Sequence, residues 1–123
     1  MESLYQEYKD VAEFRMIYIR EAHAADGSRP VKYAKEKGIN QQTTYAQRCT
    51  TAKMLIDEKK LTMPFLVDSM NNKTNQDYAA QPDRVFVVDR EGKIVVAAGR
   101  GPFGFKPGLD KAQQWLQQFK KQQ

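Results

Sequence analysis

The chain has 123 residues, 41% of them hydrophobic and 28% charged, and a formal net charge of +5. That length suits one domain with a buried core, and no apolar run approaches the roughly 18 residues of a membrane-spanning helix, so no membrane role is expected. The basic excess is dispersed and broken by acids, as in Lys35-Glu36-Lys37 and Asp57-Glu58-Lys59-Lys60, which reads as solvated helix faces and not as a nucleic-acid interface.

In chain order, residues 3 to 12 predict an amphipathic helix, with Leu4, Tyr8 and Val11 at i, i+4 and i+7. The aromatic and β-branched run from Phe14 to Ile19 predicts a buried strand. A polar loop from Glu21 to Pro30 follows, with Asp26-Gly27 marking a tight turn in which Asp26 is expected to form an Asx turn. Residues 31 to 42 allow one short helical turn ending at Gly38. Thr44 then fits an N-cap, with Gln47 as its capping-box partner. The helix expected from about 45 to 59 aligns Tyr45, Cys49, Ala52 and Ile56 on one apolar stripe.

Met63 to Asp68 predicts a second strand, with Pro64 placing it at an edge or preceding the ladder. A polar loop from Asn71 to Gln76 leads to a helical turn near Tyr78. Arg84 to Val88 and Lys93 to Ala98 predict two strands joined by Asp89-Arg90-Glu91-Gly92, with Gly92 in the left-handed position of the turn. A glycine-rich loop, residues 99 to 105, precedes a last helix from about 108 to 120 carrying Leu109, Ala112, Trp115, Leu116 and Phe119 on one face.

The single cysteine, Cys49, excludes an internal disulfide and a CxxC redox pair, and with a single histidine, His23, no metal site of the Cys- or His-rich kind is expected. Cys49 falls mid-helix on the apolar stripe and is expected to be a buried structural residue. Glu21 and His23 stand at i and i+2 just beyond a strand end, where side chains converge on sites. On the residues alone His23 fits an ordinary loop histidine better than a site residue, and Arg100 a partner for a carboxylate. Asn72-Lys73-Thr74 matches a glycosylation triplet of the kind common by chance.

Three stretches in combination are more specific. Tyr18-Ile19-Arg20-Glu21-Ala22-His23-Ala24-Ala25-Asp26-Gly27 is similar to the motif YIxEAHxxDGW. Arg84-Val85-Phe86-Val87-Val88 after Tyr78-Ala79-Ala80 is similar to YGA…RLYVI, and Gly99-Arg100-Gly101-Pro102-Phe103-Gly104-Phe105 to GGRGPxGY. By these the chain resembles the iodothyronine deiodinase family over nearly its whole length, in a branch expected to be bacterial. The resemblance implies an α/β fold, a thioredoxin-like mixed sheet flanked by helices, as a single domain over 1–123. It also implies a cis bond before Pro82, which together with Asp26 would shape the site. Glu21, His23 and Arg100 would line the substrate pocket, His23 handling a phenol proton and Arg100 holding an anionic group.

The family's nucleophile sits in Cys-Thr-Sec/Cys-Pro-Pro-Phe at a helix N-terminus, where backbone N–H groups stabilise a thiolate or selenolate. Here the likeness starts just beyond that motif. The expectation is therefore a domain incomplete at its N-terminus, without the first central strand and inactive as it stands. It would be completed by a longer gene product, by strand exchange in a homo-oligomer, or by a rearranged sheet. The family chemistry implied is reductive deiodination of an iodinated aromatic, with no cofactor beyond a thiol reductant. The alternatives are a peroxiredoxin-like protein acting on peroxides or disulfides, and a non-catalytic domain folding as an oligomer or on a partner. Ser28 in place of the family's tryptophan, and Gln42 in place of a family histidine, depart from the hormone-binding pattern. Nothing near Met1 reads as a secretory leader, which makes the cytoplasm the default expectation.

Overall fold

The computed structural model describes all of residues 1–123 as a mixed α/β chain. The chain resolves into two compact units, Arg15–Ala79 and the pair of segments Met1–Phe14 and Ala80–Gln123.

In the unit Arg15–Ala79, strand β1 (Met16–Tyr18) runs parallel to β2 (Phe65–Val67), with Met16 opposite Phe65 and Tyr18 opposite Val67. Parallel neighbours need a long crossover, and helices α2 (Lys32–Lys37) and α3 (Tyr45–Lys59) supply it. A third helix, α4 (Lys73–Tyr78), follows β2 and starts before the helical turn expected near Tyr78. Pro64 lies just ahead of the ladder, where only its carbonyl is needed, and it accepts from Met16 N–H at 3.0 Å. α2 ends at Gly38 in the left-handed conformation.

α3 starts at its expected cap, with Thr44 Oγ1 accepting from Gln47 N–H at 3.2 Å. The return bond differs from a regular capping box, because Gln47 Oε1 accepts from the N–H and hydroxyl of Thr43 instead of from Thr44. The inward face of α3 also differs. Tyr45 is 51% exposed, Cys49 is only half-buried, and the buried positions are Arg48 and Ala52. Apolar spacing keeps Ala52 but misplaces the rest of the stripe, because a long arginine whose two terminal nitrogens are hydrogen-bonded occupies the place an apolar residue would hold.

In the other unit, α1 (Glu2–Tyr8) is shorter than its pattern predicts. Val11 and Ala12 N–H both turn back to Tyr8 O instead of continuing the helix. Strands β3 (Phe86–Val88) and β4 (Ile94–Ala97) form an antiparallel hairpin with a bulge at Val87/Val88. Asp89 Oδ1 accepts from Glu91 and Lys93 N–H at 2.9 Å each, and Gly92 has φ 82° as the turn requires.

Helix α5 (Phe105–Lys121) starts ahead of the expected position because Pro107 falls in its first turn, where a missing N–H costs nothing. Leu4, Tyr8, Val85, Ala98, Ala112 and Leu116 make the core of this unit. Gly108 sits where a Cβ would run into Ala98 Cβ, so α5 approaches β4 closely. No helix is long and apolar enough to cross a membrane.

Candidate functional site

The end of β1 delivers Tyr18 and, after one turn of loop, Glu21. The Tyr18 hydroxyl donates to Glu21 Oε1. Burial, then the bond to this carboxylate and its charge, push the phenol well above the usual tyrosine range. Weaker opposing influences come from the Gln42 amide and the charge of Arg48. Tyr18 is therefore a protonated donor at every physiological pH. Gln42, 6% exposed, completes the group: its Nε2 reaches Asn40 O at 3.1 Å and the Tyr18 hydroxyl and Thr51 Oγ1 at 3.4 Å each.

The loop carrying His23 is strapped down by Ala25 N–H to Ile39 O at 2.7 Å. Asp26 contributes to the same strap. Its Oδ1 accepts from Gln41 N–H at 2.9 Å, while Gly27 N–H bonds Ala24 O. The expected local Asx turn is thus replaced by a bond to a segment 15 residues on, which fixes the loop instead of merely turning it. His23 is exposed, and its Nδ1 lies 2.9 Å from Arg29 O. A carbonyl only accepts, so in the neutral ring Nδ1 carries the hydrogen and Nε2 presents a lone pair.

Behind these residues lies a buried polar anchor. Arg48, 1% exposed, donates to Asp68 O at 3.1 Å, Ser69 O at 2.7 Å and Asn72 Oδ1 at 3.0 Å. Asp68, 3% exposed, accepts from Thr74 and Asn75 N–H at 3.0 and 2.9 Å and so caps α4. Burial alone would raise the Asp68 carboxyl, but the N–H groups of Asn75 and Thr74 overrule it and hold it below the ordinary aspartate value. Asn72 of the glycosylation triplet is engaged here by Arg48.

Pro82 and Arg100 belong to the other unit. The Gln81–Pro82 bond is cis, as expected, and Gly101–Pro102 is cis as well. Asp83 O accepts from Gly101 N–H at 2.9 Å, which ties the entry of β3 to the loop carrying Arg100. Gly104 N–H closes that loop on Arg100 O at 2.9 Å. A Cβ at Gly101 would strike the Asp83 carboxylate, and one at Gly104 the Gly99 backbone, so the glycine spacing of this loop is a packing requirement. The Arg100 side chain is exposed at the tip.

The structure thus groups Glu21 with Tyr18 and Gln42, holds His23 and Asp26 in one strapped loop, and links the Pro82 and Arg100 segments through Asp83. Sequence reasoning passed over Arg48 and Asp68. The available signal was a charged residue four before the buried Ala52, on a helix whose apolar stripe is weak.

The sequence model of the family described as iodothyronine deiodinase matches residues 1–120. The type II iodothyronine deiodinase of Neoceratodus forsteri is 35% identical over 118 residues, covering 94% of this chain and 43% of that protein. The type I iodothyronine deiodinase of Xenopus laevis is 36% identical over 106 residues, covering 85% of this chain and 39% of that protein. The thyroxine 5-deiodinase of Gallus gallus is 33% identical over 118 residues, covering 93% and 42% respectively. The chain spans about two fifths of the length of these relatives.

Proposed function

From the premise that this chain belongs to the iodothyronine deiodinase family, we propose that it carries the substrate-binding side of a thiol-dependent reductive deiodination. In that reaction an aryl iodide and two thiols give the protonated arene, iodide with a proton, and a disulfide. A chalcogen takes the iodine, and the ring carbon needs a proton in its place. The observation that carries the reading is the Tyr18–Glu21 pair at the end of β1, inside the motif Tyr18-Ile19-Arg20-Glu21-Ala22-His23. A hydrogen-bonded phenol and carboxylate, with a histidine two residues on whose neutral ring keeps its lone pair on Nε2, form a set that can hold and pass a proton.

In this reading Glu21 and His23 receive the phenol end of an iodinated aromatic. Arg100 enters through its motif and supplies a fixed positive charge for an anionic group, while Asp26 and Pro82 shape the two loops. The attacking chalcogen belongs to the family's Cys-Thr-Sec/Cys-Pro-Pro-Phe motif, which residues 1–123 do not contain. Cys49 is a poor substitute, because it sits half-buried in mid-helix, away from the N–H groups of a helix N-terminus. We also propose the thioredoxin-like arrangement: β1 pairs only with β2 and β3 only with β4, and each would gain a central strand, in a longer chain or by exchange between copies. A dimer in solution that dissociates when that strand is added would fit exchange.

The test is a titration of the chain with 4-iodophenol, followed by chemical shifts of the β1 and loop amides. Glu21→Gln and His23→Ala should each weaken binding by about tenfold, the scale of one charge-assisted hydrogen bond, and Arg100→Ala should do so for a ligand that also carries a carboxylate, 4-hydroxy-3-iodophenylacetate. Unchanged affinity in all three would sink the proposal.

A further inference from the structure

Gln42 has no charge and no acid–base chemistry at physiological pH, yet it touches three groups at once. Its amide orientation is decided by Asn40. That carbonyl accepts only, so Nε2 faces it at 3.1 Å. This choice leaves Gln42 Oε1 buried with no donor, while the opposite orientation would set that oxygen against the Asn40 carbonyl. The second hydrogen of Nε2 points at the oxygens of Tyr18 and Thr51. Thr51 can only accept there, because its own proton goes to Gln47 O at 3.1 Å.

We infer that Gln42 is a positioning residue that fixes the direction of the Tyr18 hydroxyl proton, turning it toward Glu21. The chain of cause runs from the Asn40 carbonyl to the Gln42 amide, from the amide to the Tyr18 lone pair, and from there to the proton. A phenol has one hydrogen to give. With a donor on its lone-pair side and a carboxylate on the other, the hydrogen has one place to go. An acidic side chain at position 42 would instead compete with Glu21 for that hydrogen. The consequence for function rests on the reading that the Tyr18–Glu21 pair serves the substrate, while the orientation of the proton does not.

The test reads the Tyr18 hydroxyl proton by NMR in the full chain with isotope-labelled tyrosine, assigned by its loss in Tyr18→Phe. In the parent protein Glu21→Gln should move this resonance upfield, since a charged acceptor becomes a neutral one. In a Gln42→Glu background the same Glu21→Gln change should leave the resonance nearly in place, the proton having turned to residue 42. In Gln42→Leu the Glu21 dependence should weaken, the hydroxyl having lost the donor on its lone-pair side, and solvent exchange of the proton should quicken by about tenfold, the scale of one lost hydrogen bond. The Asp68 and Arg48 amide shifts report whether the unit stays folded; if Gln42→Glu unfolds, the exchange rate in Gln42→Leu decides alone. Equal Glu21 dependence in Gln42→Glu and parent, or unchanged exchange in Gln42→Leu, overturns the inference. A parallel titration with 4-iodophenol separates the two claims, because unaltered affinity in Glu21→Gln would fail the site reading whatever the hydroxyl resonance does.

Discussion

The two units of this chain are held together by different physics. The one built from Met1–Phe14 and Ala80–Gln123 packs Leu4, Tyr8, Val85, Ala98, Ala112 and Leu116 into an apolar core. The one built from Arg15–Ala79 also buries Ala24, Ala34, Ile39, Ala52 and Met63, but sets among them Gln42, Arg48 and Asp68. Apolar packing is non-directional and forgives small rearrangements. A buried arginine bonded to two carbonyls and an amide oxygen specifies positions, because every misplaced bond leaves a desolvated group unpaired. The unit with the buried polar anchor is the one that carries the Tyr18–Glu21 pair and the strapped His23 loop.

The comparison is broken most directly at Arg48. Arg48→Ala strands the Asp68 and Ser69 carbonyls and should cost about 4 kcal/mol, read as faster amide hydrogen exchange in α3 and α4. Trp115 fluorescence, a reporter of the apolar unit, would follow it only if the two units unfold together. Leu116→Ala removes an apolar side chain from the other core and should cost about 3 kcal/mol, seen first at Trp115. If Arg48→Ala proves milder than Leu116→Ala, the polar anchor is not what holds its unit.

Two aspartates sharpen the contrast with opposite pH signs. The Asp68 carboxyl is held below its ordinary value in the folded chain. Its contribution is present above the unfolded aspartate pKa of about 4 and is lost as pH falls through the lower folded value. Asp68→Ala should cost about 2 kcal/mol at neutral pH, and a urea midpoint series from pH 6 down to 2 should show the gap to the parent narrowing. Asp83 is the reverse case. Burial raises its carboxyl, and Oδ1 is buried without a donor. A raised carboxyl favours the folded state only below the unfolded pKa, and that advantage is lost as pH rises through the folded value. Asp83→Asn should therefore stabilise the chain at pH 7 by under about 1 kcal/mol, the group being only half-buried and screened, with no gain below pH about 4. A lower melting temperature for Asp83→Asn at pH 7 would show that the charge serves the Gly101 contact instead of straining it.

Much of this was legible along the chain. The Thr44 cap, the Gly92 turn, the Gly38 stop and the two hairpin strands are local events, decided within a few residues by backbone stereochemistry and short-range hydrogen bonds. The YIxEAH and GRGP motifs named the family, since a motif is a record of residue types at fixed spacing. Other features were not legible, for reasons that are tertiary. Which stripe of α3 faces inward depended on Arg48 finding carbonyls 20 and 21 residues away. Asp26 chose the Gln41 N–H over its own turn because the two segments meet in the folded unit. The start of α5 was masked by Pro107, harmless only in a first turn. The sense of the Gln42 amide, and with it the direction of the Tyr18 proton, depends on one carbonyl at Asn40. The sequence by itself determined the elements, their caps and the family. The tertiary structure alone decided which polar groups are buried and which way their hydrogens point, because desolvation and hydrogen-bond satisfaction are properties of surroundings that the chain assembles only on folding.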